Sequence, residues 1–160
     1  MDQFSTQPER KGFSPIELLA VILMIGILTL VAVSFLNDAR AKARDAKRLV
    51  DITRLKTALE FYQLENGSYP QYENVITLGV EPYVKLCESA VGAFVSSGVE
   101  CQTDFMAPVP LDPQRTKQYM YAGIADGYTI SFSTEKESIY GAPGLYYAHS
   151  TGVDKDPTAK

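Results

Sequence analysis

One carboxylate, Glu17, stands at the head of nineteen uncharged residues, Leu18 to Leu36. An ionisable group at the border of so long an apolar run is costly unless it is paired or reaches polar surroundings, so Glu17 is the first candidate functional residue. Arg10-Lys11-Gly12-Phe13-Ser14-Pro15-Ile16 lead into it. Gly12 has no Cβ and lets another backbone approach closely. Pro15 is tolerable only near a helix start, where its missing N–H would be unpaired anyway. The other reactive groups are few. Cys87 and Cys101 enclose a loop of about 15 residues, for which a disulfide contributes roughly 3 kcal/mol, and neither has a partner at zinc-site spacing. His149 is the single histidine. It reads as a strand-end surface residue with no nucleophile to serve. With no Gly-rich phosphate loop, zinc spacing or calcium-loop spacing, the chain is expected to be neither an enzyme nor a metal protein.

The elements around these residues follow from periodicity. Leu18 to Leu36 as helix spans roughly 28 Å, close to the hydrocarbon thickness of a bilayer. A cleaved secretory signal would end in small residues, whereas Asn37-Asp38-Ala39-Arg40-Ala41-Lys42-Ala43-Arg44 continues as good helix former. Two stripes at helical spacing come next, Ala39, Ala43, Ala46, Val50 and Thr53 beside Ile52, Leu55, Leu59 and Tyr62. Asn66-Gly67-Ser68-Tyr69-Pro70 stops the helix, giving one element of roughly 80 Å from Phe13 to Asn66. Residues 71–118 show no sustained period, with room for a short helix within Val84 to Val95. Tyr119 to Ile124 and Tyr128 to Ser133 alternate as strands joined through Ala125-Asp126-Gly127, and Leu145 to His149 makes a third strand.

The stretch Gly12-Phe13-Ser14-Pro15-Ile16-Glu17-Leu18-Leu19 resembles the cleavage and methylation signature of the type IV pilin and pseudopilin superfamily. Ser14 and Pro15 depart mildly from its commonest residues. The resemblance implies a prepilin peptidase cutting after Gly12, methylation of the new amine on Phe13, and pairing of that amine with Glu17 of a neighbouring copy. It implies an α+β fold, a long N-terminal helix packed on a small antiparallel sheet. Its parts would be a leader (1–12), a transmembrane and filament-core helix (13–36), an amphipathic stem (37–66) and a globular head (67–160). Leu111-Asp112-Pro113 before Tyr119 is also similar to the stretch leading into the sheet of major pseudopilins, without their usual Trp-Gly-Asn. Since some of those bind calcium in a late loop, Asp112, Asp126, Asp154 and Asp156 could contribute to such a site. Ordinary turn roles explain four unpatterned acids more simply.

The net charge of −4 is unevenly spread. Residues 37–56 carry seven basic residues against Asp38, Asp45 and Asp51, while residues 57–160 carry thirteen acidic against six basic. A basic stem and an acidic head suit either registration of subunits along a filament or a solvated helix face laced with pairs such as Asp38–Lys42. Charge bias alone would put the basic side in the cytoplasm; the peptidase motif requires the leader there instead. The leading expectation is a structural subunit of a type IV pilus, held in the cytoplasmic membrane and then assembled into a homo-oligomeric cell-surface filament. The prepilin peptidase, an assembly platform and an ATPase motor would be its partners, and no direct nucleic-acid site is apparent. The alternatives are a type II secretion pseudopilin and a membrane-anchored binding module that never polymerises. The two cysteines would face an oxidising compartment, where bridging is favoured.

Overall fold

The computed structural model describes residues 12–124 and 126–158. The expected leader, apart from Gly12, lies outside the described residues. The chain divides after Ala39 into two units, and one helix, α1 (Pro15–Asn66), runs through both. The strands are β1 (Ile76–Thr77), β2 (Lys85–Glu88), β3 (Phe94–Val95), β4 (Thr103–Met106), β5 (Met120–Ile124), β6 (Gly127–Thr134), β7 (Gly144–His149) and β8 (Gly152–Asp154). The arrangement is α+β and pilin-like: a long N-terminal helix on antiparallel sheets.

In the first unit every helical residue is exposed, and α1 is long and apolar enough there to cross a membrane. The two hydroxyls in this stretch are turned inward. Thr29 Oγ1 donates to the Ile25 carbonyl at 2.7 Å and Ser34 Oγ to the Leu30 carbonyl at 3.2 Å. A polar group in hydrocarbon needs such an internal acceptor.

In the second unit the buried positions of α1 are Ala41, Asp45, Arg48, Ile52, Leu55 and Leu59, with Asp51 and Ala58 beside them. This three- and four-residue spacing is that of one core-facing stripe. Of the two expected stripes, the one through Ile52, Leu55 and Leu59 faces the core. The other, Ala39, Ala43, Ala46, Val50 and Thr53, is exposed. Hydropathy misleads here because two charged residues, Asp45 and Arg48, occupy the core register. Gly67, at φ 78°, closes the helix with its N–H on the Gln63 carbonyl at 2.8 Å, the left-handed cap expected of glycine there.

A five-stranded antiparallel sheet, in the order β1-β5-β6-β7-β8, packs on this stripe. Ile124 sits opposite Gly127, so β5 and β6 form the expected hairpin, and Leu145 to His149 falls within β7. Tyr128, Ile130 and Phe132 alternate along β6 and are buried with Tyr121, Tyr146, Leu55 and Leu59. Gly123 is required where it stands: a Cβ there would lie 2.2 Å from the Pro70 carbonyl oxygen and from the Tyr121 hydroxyl. Residues 84–95 are not helical. They supply β2 and β3, which with β4 form a second sheet in the order β3-β2-β4. These strands are two to four residues long and lack alternating burial, so they leave no period to read.

His149 is buried, not on the surface. Its ring nitrogens face the Asp154 carboxylate at 3.0 Å and the Tyr128 carbonyl at 3.3 Å. Arg48 departs further from expectation. Its guanidinium is fully buried and donates to both oxygens of Asp112, at 2.7 and 2.9 Å, to Asp45 at 2.6 Å and to Glu135 at 2.7 Å. Arg44 makes two further bonds to Glu135, at 2.8 and 2.6 Å. Arg44 and Arg48 are therefore not part of a simply solvated face; carboxylates from α1 and from two distant segments hold them. Burial alone would lower the pKa of Arg48, but its hydrogen bonds to Asp112, Glu135 and Asp45 outweigh that and raise it.

Removing the hub takes a shared guanidinium from Asp45, Asp112 and Glu135, of which Glu135 keeps Arg44. Arg48→Met is expected to destabilise the chain by about 3–5 kcal/mol in chemical denaturation of the detergent-solubilised protein, the cost of breaking a buried pair from one side. The pH dependence follows from Glu135, whose carboxyl is held down at about 2, first by the hydrogen bond from Arg44. A carboxylate depressed on folding adds stability above its unfolded pKa, and that stability is lost as pH falls through the folded value. Asp51 acts oppositely, because burial raises its pKa. Stability should therefore decline between about pH 4.5 and 2 more steeply in the wild type than in Glu135→Gln. Parallel profiles would contradict the assignment.

Candidate processing and assembly site

Three of the residues singled out by sequence meet at the start of α1. Gly12 and Phe13 precede the helix; Phe13 is 90 % exposed, and nothing lies within 4 Å of where a Gly12 Cβ would be. Ser14 is the cap. Its carbonyl accepts the N–H groups of Glu17 and Leu18 at 3.0 and 3.2 Å, and Pro15 fills the first helical position, where no N–H is needed. Glu17 completes the motif by reaching back, its Oε2 lying 3.3 Å from the Ser14 backbone nitrogen. This is one half of a capping box, Ser-x-x-Glu, made through the Ser14 backbone. The carboxylate also sits where the positive end of the helix dipole favours an anion.

Chemically, the site offers an open peptide bond between Gly12 and Phe13 and, one turn on, a carboxylate that among the described residues is held by a neutral N–H. An ammonium group would be a stronger partner for it, because charge-assisted hydrogen bonds are roughly twice as strong as neutral ones.

The remaining candidates lie in the second unit. Cys87 and Cys101 form a disulfide, with Cα atoms 5.8 Å apart, that ties the end of β2 to the segment entering β4. Asp112 is committed to Arg48, and its Oδ1 also accepts the Gln114 N–H at 2.7 Å. Asp154 faces His149, Asp156 accepts the Thr158 N–H and hydroxyl, and Asp126 is exposed beside the β5–β6 turn. No three of these four acids gather into one group among the described residues. The Arg44, Asp45, Arg48 and Glu135 cluster escaped the sequence reading. The one available signal was a charge pair standing in the register of the buried stripe.

The model of the type II secretion system protein G family matches residues 35–142. The chain belongs to that family. Its protein G relatives include the type II secretion system core protein G of Vibrio cholerae, 28% identical over 146 residues, 91% of this chain and 90% of the relative. The core protein G of Pectobacterium carotovorum is 36% identical over 64 residues, 40% of this chain and 41% of the relative. A type IV major pilin of Neisseria gonorrhoeae is 37% identical over 71 residues, 44% of this chain and 42% of the relative. In the latter two cases the chain spans less than half of the relative's length. No solved structure matches the chain. Protein G and pilin relatives together place it in the type IV pilin and pseudopilin superfamily. Of the functions expected from sequence, they favour the secretion pseudopilin over the pilus subunit, although Trp-Gly-Asn is missing after Asp112.

The disulfide closes a loop with a sequence separation of 14. Replacing both Cys87 and Cys101 by Ala is expected to cost roughly 3 kcal/mol in the chain-entropy model. Denaturation of the oxidised wild type and the double variant side by side measures it. Equal midpoints would show that the bridge adds nothing.

Proposed function

We propose that this chain is a structural pseudopilin of a type II secretion system, with no catalytic activity of its own. The observation that carries the reading is the family match over residues 35–142, which takes in the second half of α1 and most of the head. The apolar half of α1 supplies a single membrane anchor for the precursor, with the leader on the cytoplasmic side. A prepilin peptidase removes residues 1–12 and methylates the amine of Phe13. An assembly platform and its ATPase motor then extract the subunit into a short helical filament.

Glu17 is the assembly residue in this reading. Within a filament core the new ammonium group of Phe13 and the carboxylate would each be costly alone, and pairing between copies relieves both. Glu17 then exchanges its bond to the Ser14 N–H for a charge-assisted one. A second reading, a subunit of a surface pilus serving adhesion or motility, draws support from the 37% identity to the gonococcal pilin.

Mass spectrometry of the mature protein is expected to find N-methyl-Phe13 at its start. Glu17→Leu should be processed and membrane-retained, with filaments and secretion lost. Normal filaments and secretion in that variant would overturn the role of Glu17, and an intact Met1 would overturn the processing scheme. Deleting the gene separates the two readings: loss of protein secretion supports the pseudopilin, and loss of surface pili with secretion intact supports the pilus subunit.

A further inference from the structure

The assembly reading leaves one pair of nucleophilic side chains unused, Cys87 and Cys101. Backbone bonds set their positions independently of the bridge between them. The Cys87 N–H donates to the Ala93 carbonyl at 2.9 Å, and Cys87 sits opposite Asp104 in the β2–β4 ladder. Gln102, next to Cys101, donates its N–H to the Glu88 carbonyl at 2.9 Å. Leu86 and Phe94, paired across β2 and β3, are buried in the core. The small sheet therefore brings the two sulfurs together whether or not they are joined.

The two cysteines differ in access and in surrounding charge. Cys87 is fully buried, whereas Cys101 is partly exposed. Lys85, in the same strand as Cys87, brings its Nζ to 3.5 Å from the Cys101 sulfur, 3.3 Å from the Val99 carbonyl oxygen and 3.6 Å from an Asp104 carboxylate oxygen. The carboxylates around the pair are Asp104, Glu88, which faces the Thr103 hydroxyl at 3.5 Å, and the exposed Glu100 next to Cys101. Among the described residues, the Lys85 ammonium is the cation in contact with the sulfur. A thiolate, not a thiol, is the nucleophile in disulfide exchange, and a neighbouring ammonium stabilises it. Cys101 thus has both the access and the countercharge.

We propose that Cys101 is the first-reacting cysteine, the point at which an external disulfide oxidant engages the folded head, with Lys85 holding its thiolate and Cys87 closing the bridge. The Cys101 thiol gives its proton to solvent, and its sulfur attacks one sulfur of the oxidant. The oxidant's own S–S bond breaks, and its second sulfur leaves as a thiolate. Cys87 then loses its proton and attacks the Cys101 sulfur, expelling the remaining half of the oxidant as a second thiolate. The two cysteines are oxidised by two electrons, and the oxidant is reduced by the same two.

The bridge then follows β2–β4 pairing and locks a sheet that is already formed. With the roles reversed, the oxidant would have to reach a sulfur inside the packed sheet. The proposal stands apart from the filament reading, since both cysteines and Lys85 lie in the head and none lies on α1.

Full-length protein in detergent, reduced and freed of reductant, tests it with oxidised glutathione as the probe. Circular dichroism of the reduced wild type is expected to keep the sheet signal; its loss would overturn a reaction on the folded head. Mass spectrometry then follows glutathione uptake by each single variant. Cys87→Ser, which retains Cys101, should react roughly tenfold faster or more than Cys101→Ser, which retains Cys87. The two rates should converge in concentrated guanidinium chloride. Adding Lys85→Met to Cys87→Ser should slow uptake by roughly threefold or more near neutral pH, because lower nucleophilicity takes back about half, on a logarithmic scale, of what the extra thiolate gains. That gap should close at alkaline pH, where the thiolate forms without help. Equal rates for the two single variants, a faster Cys87, or a difference that persists in denaturant would each overturn the assignment of Cys101. An unchanged rate and pH profile on Lys85→Met would overturn the role of Lys85.

Discussion

Everything in this chain answers to the first half of α1, a helix apolar on every side and exposed throughout among the described residues. Its backbone groups pair internally and its two hydroxyls bond back to the same helix, so lipid can surround it without an unsatisfied group. The same surface, drawn from the bilayer, must be covered by something equally apolar. Glu17 is the exception, and in the proposed function it gives this surface a specific partner. Its bond to the Ser14 N–H holds the carboxylate at the helix start and satisfies it modestly.

The second unit solves a different problem, which is how to fix a long helix to a small head. Aliphatic and aromatic packing of Ile52, Leu55 and Leu59 on β6 and β7 supplies most of the burial. Packing alone has little directional character, and Arg48 adds it. One planar guanidinium engages carboxylates from α1, from the segment before β5 and from the end of β6. Substituting Arg48 is costly because its carboxylates lose that countercharge. Part of the basic stem is therefore an internal lock, made by Arg44 and Arg48.

Much of the fold was legible in the residues. The apolar run, its continuation to Asn66, the Gly67 cap, the Asp126-Gly127 hairpin and the strand at Leu145 to His149 all carry local signals, and local signals are what a single sequence preserves. The start of the helix was legible too, since Ser14, Pro15 and Glu17 stand at capping positions. Non-local pairing was not. Arg48 finds Asp112 across 64 residues and Glu135 across 87, and no spacing rule connects them. His149 looked peripheral because its carboxylate partner, Asp154, comes from the next strand. The second sheet was missed because strands as short as Phe94–Val95 show no alternation. The stripe of Ala39, Ala43, Ala46, Val50 and Thr53 misled for the converse reason: it is the more apolar-looking face, yet it is exposed.

The central claim is that the two halves of α1 serve one assembly, the apolar half inside and the head outside. Electron cryomicroscopy of filaments formed by the full-length processed chain measures this directly. The account predicts residues 13–36 clustered about the filament axis, heads on the periphery, and each Glu17 carboxylate within hydrogen-bond distance of the Phe13 amine of another copy. A filament with these helices at its outer surface, or with Glu17 facing solvent away from every amine, would contradict it.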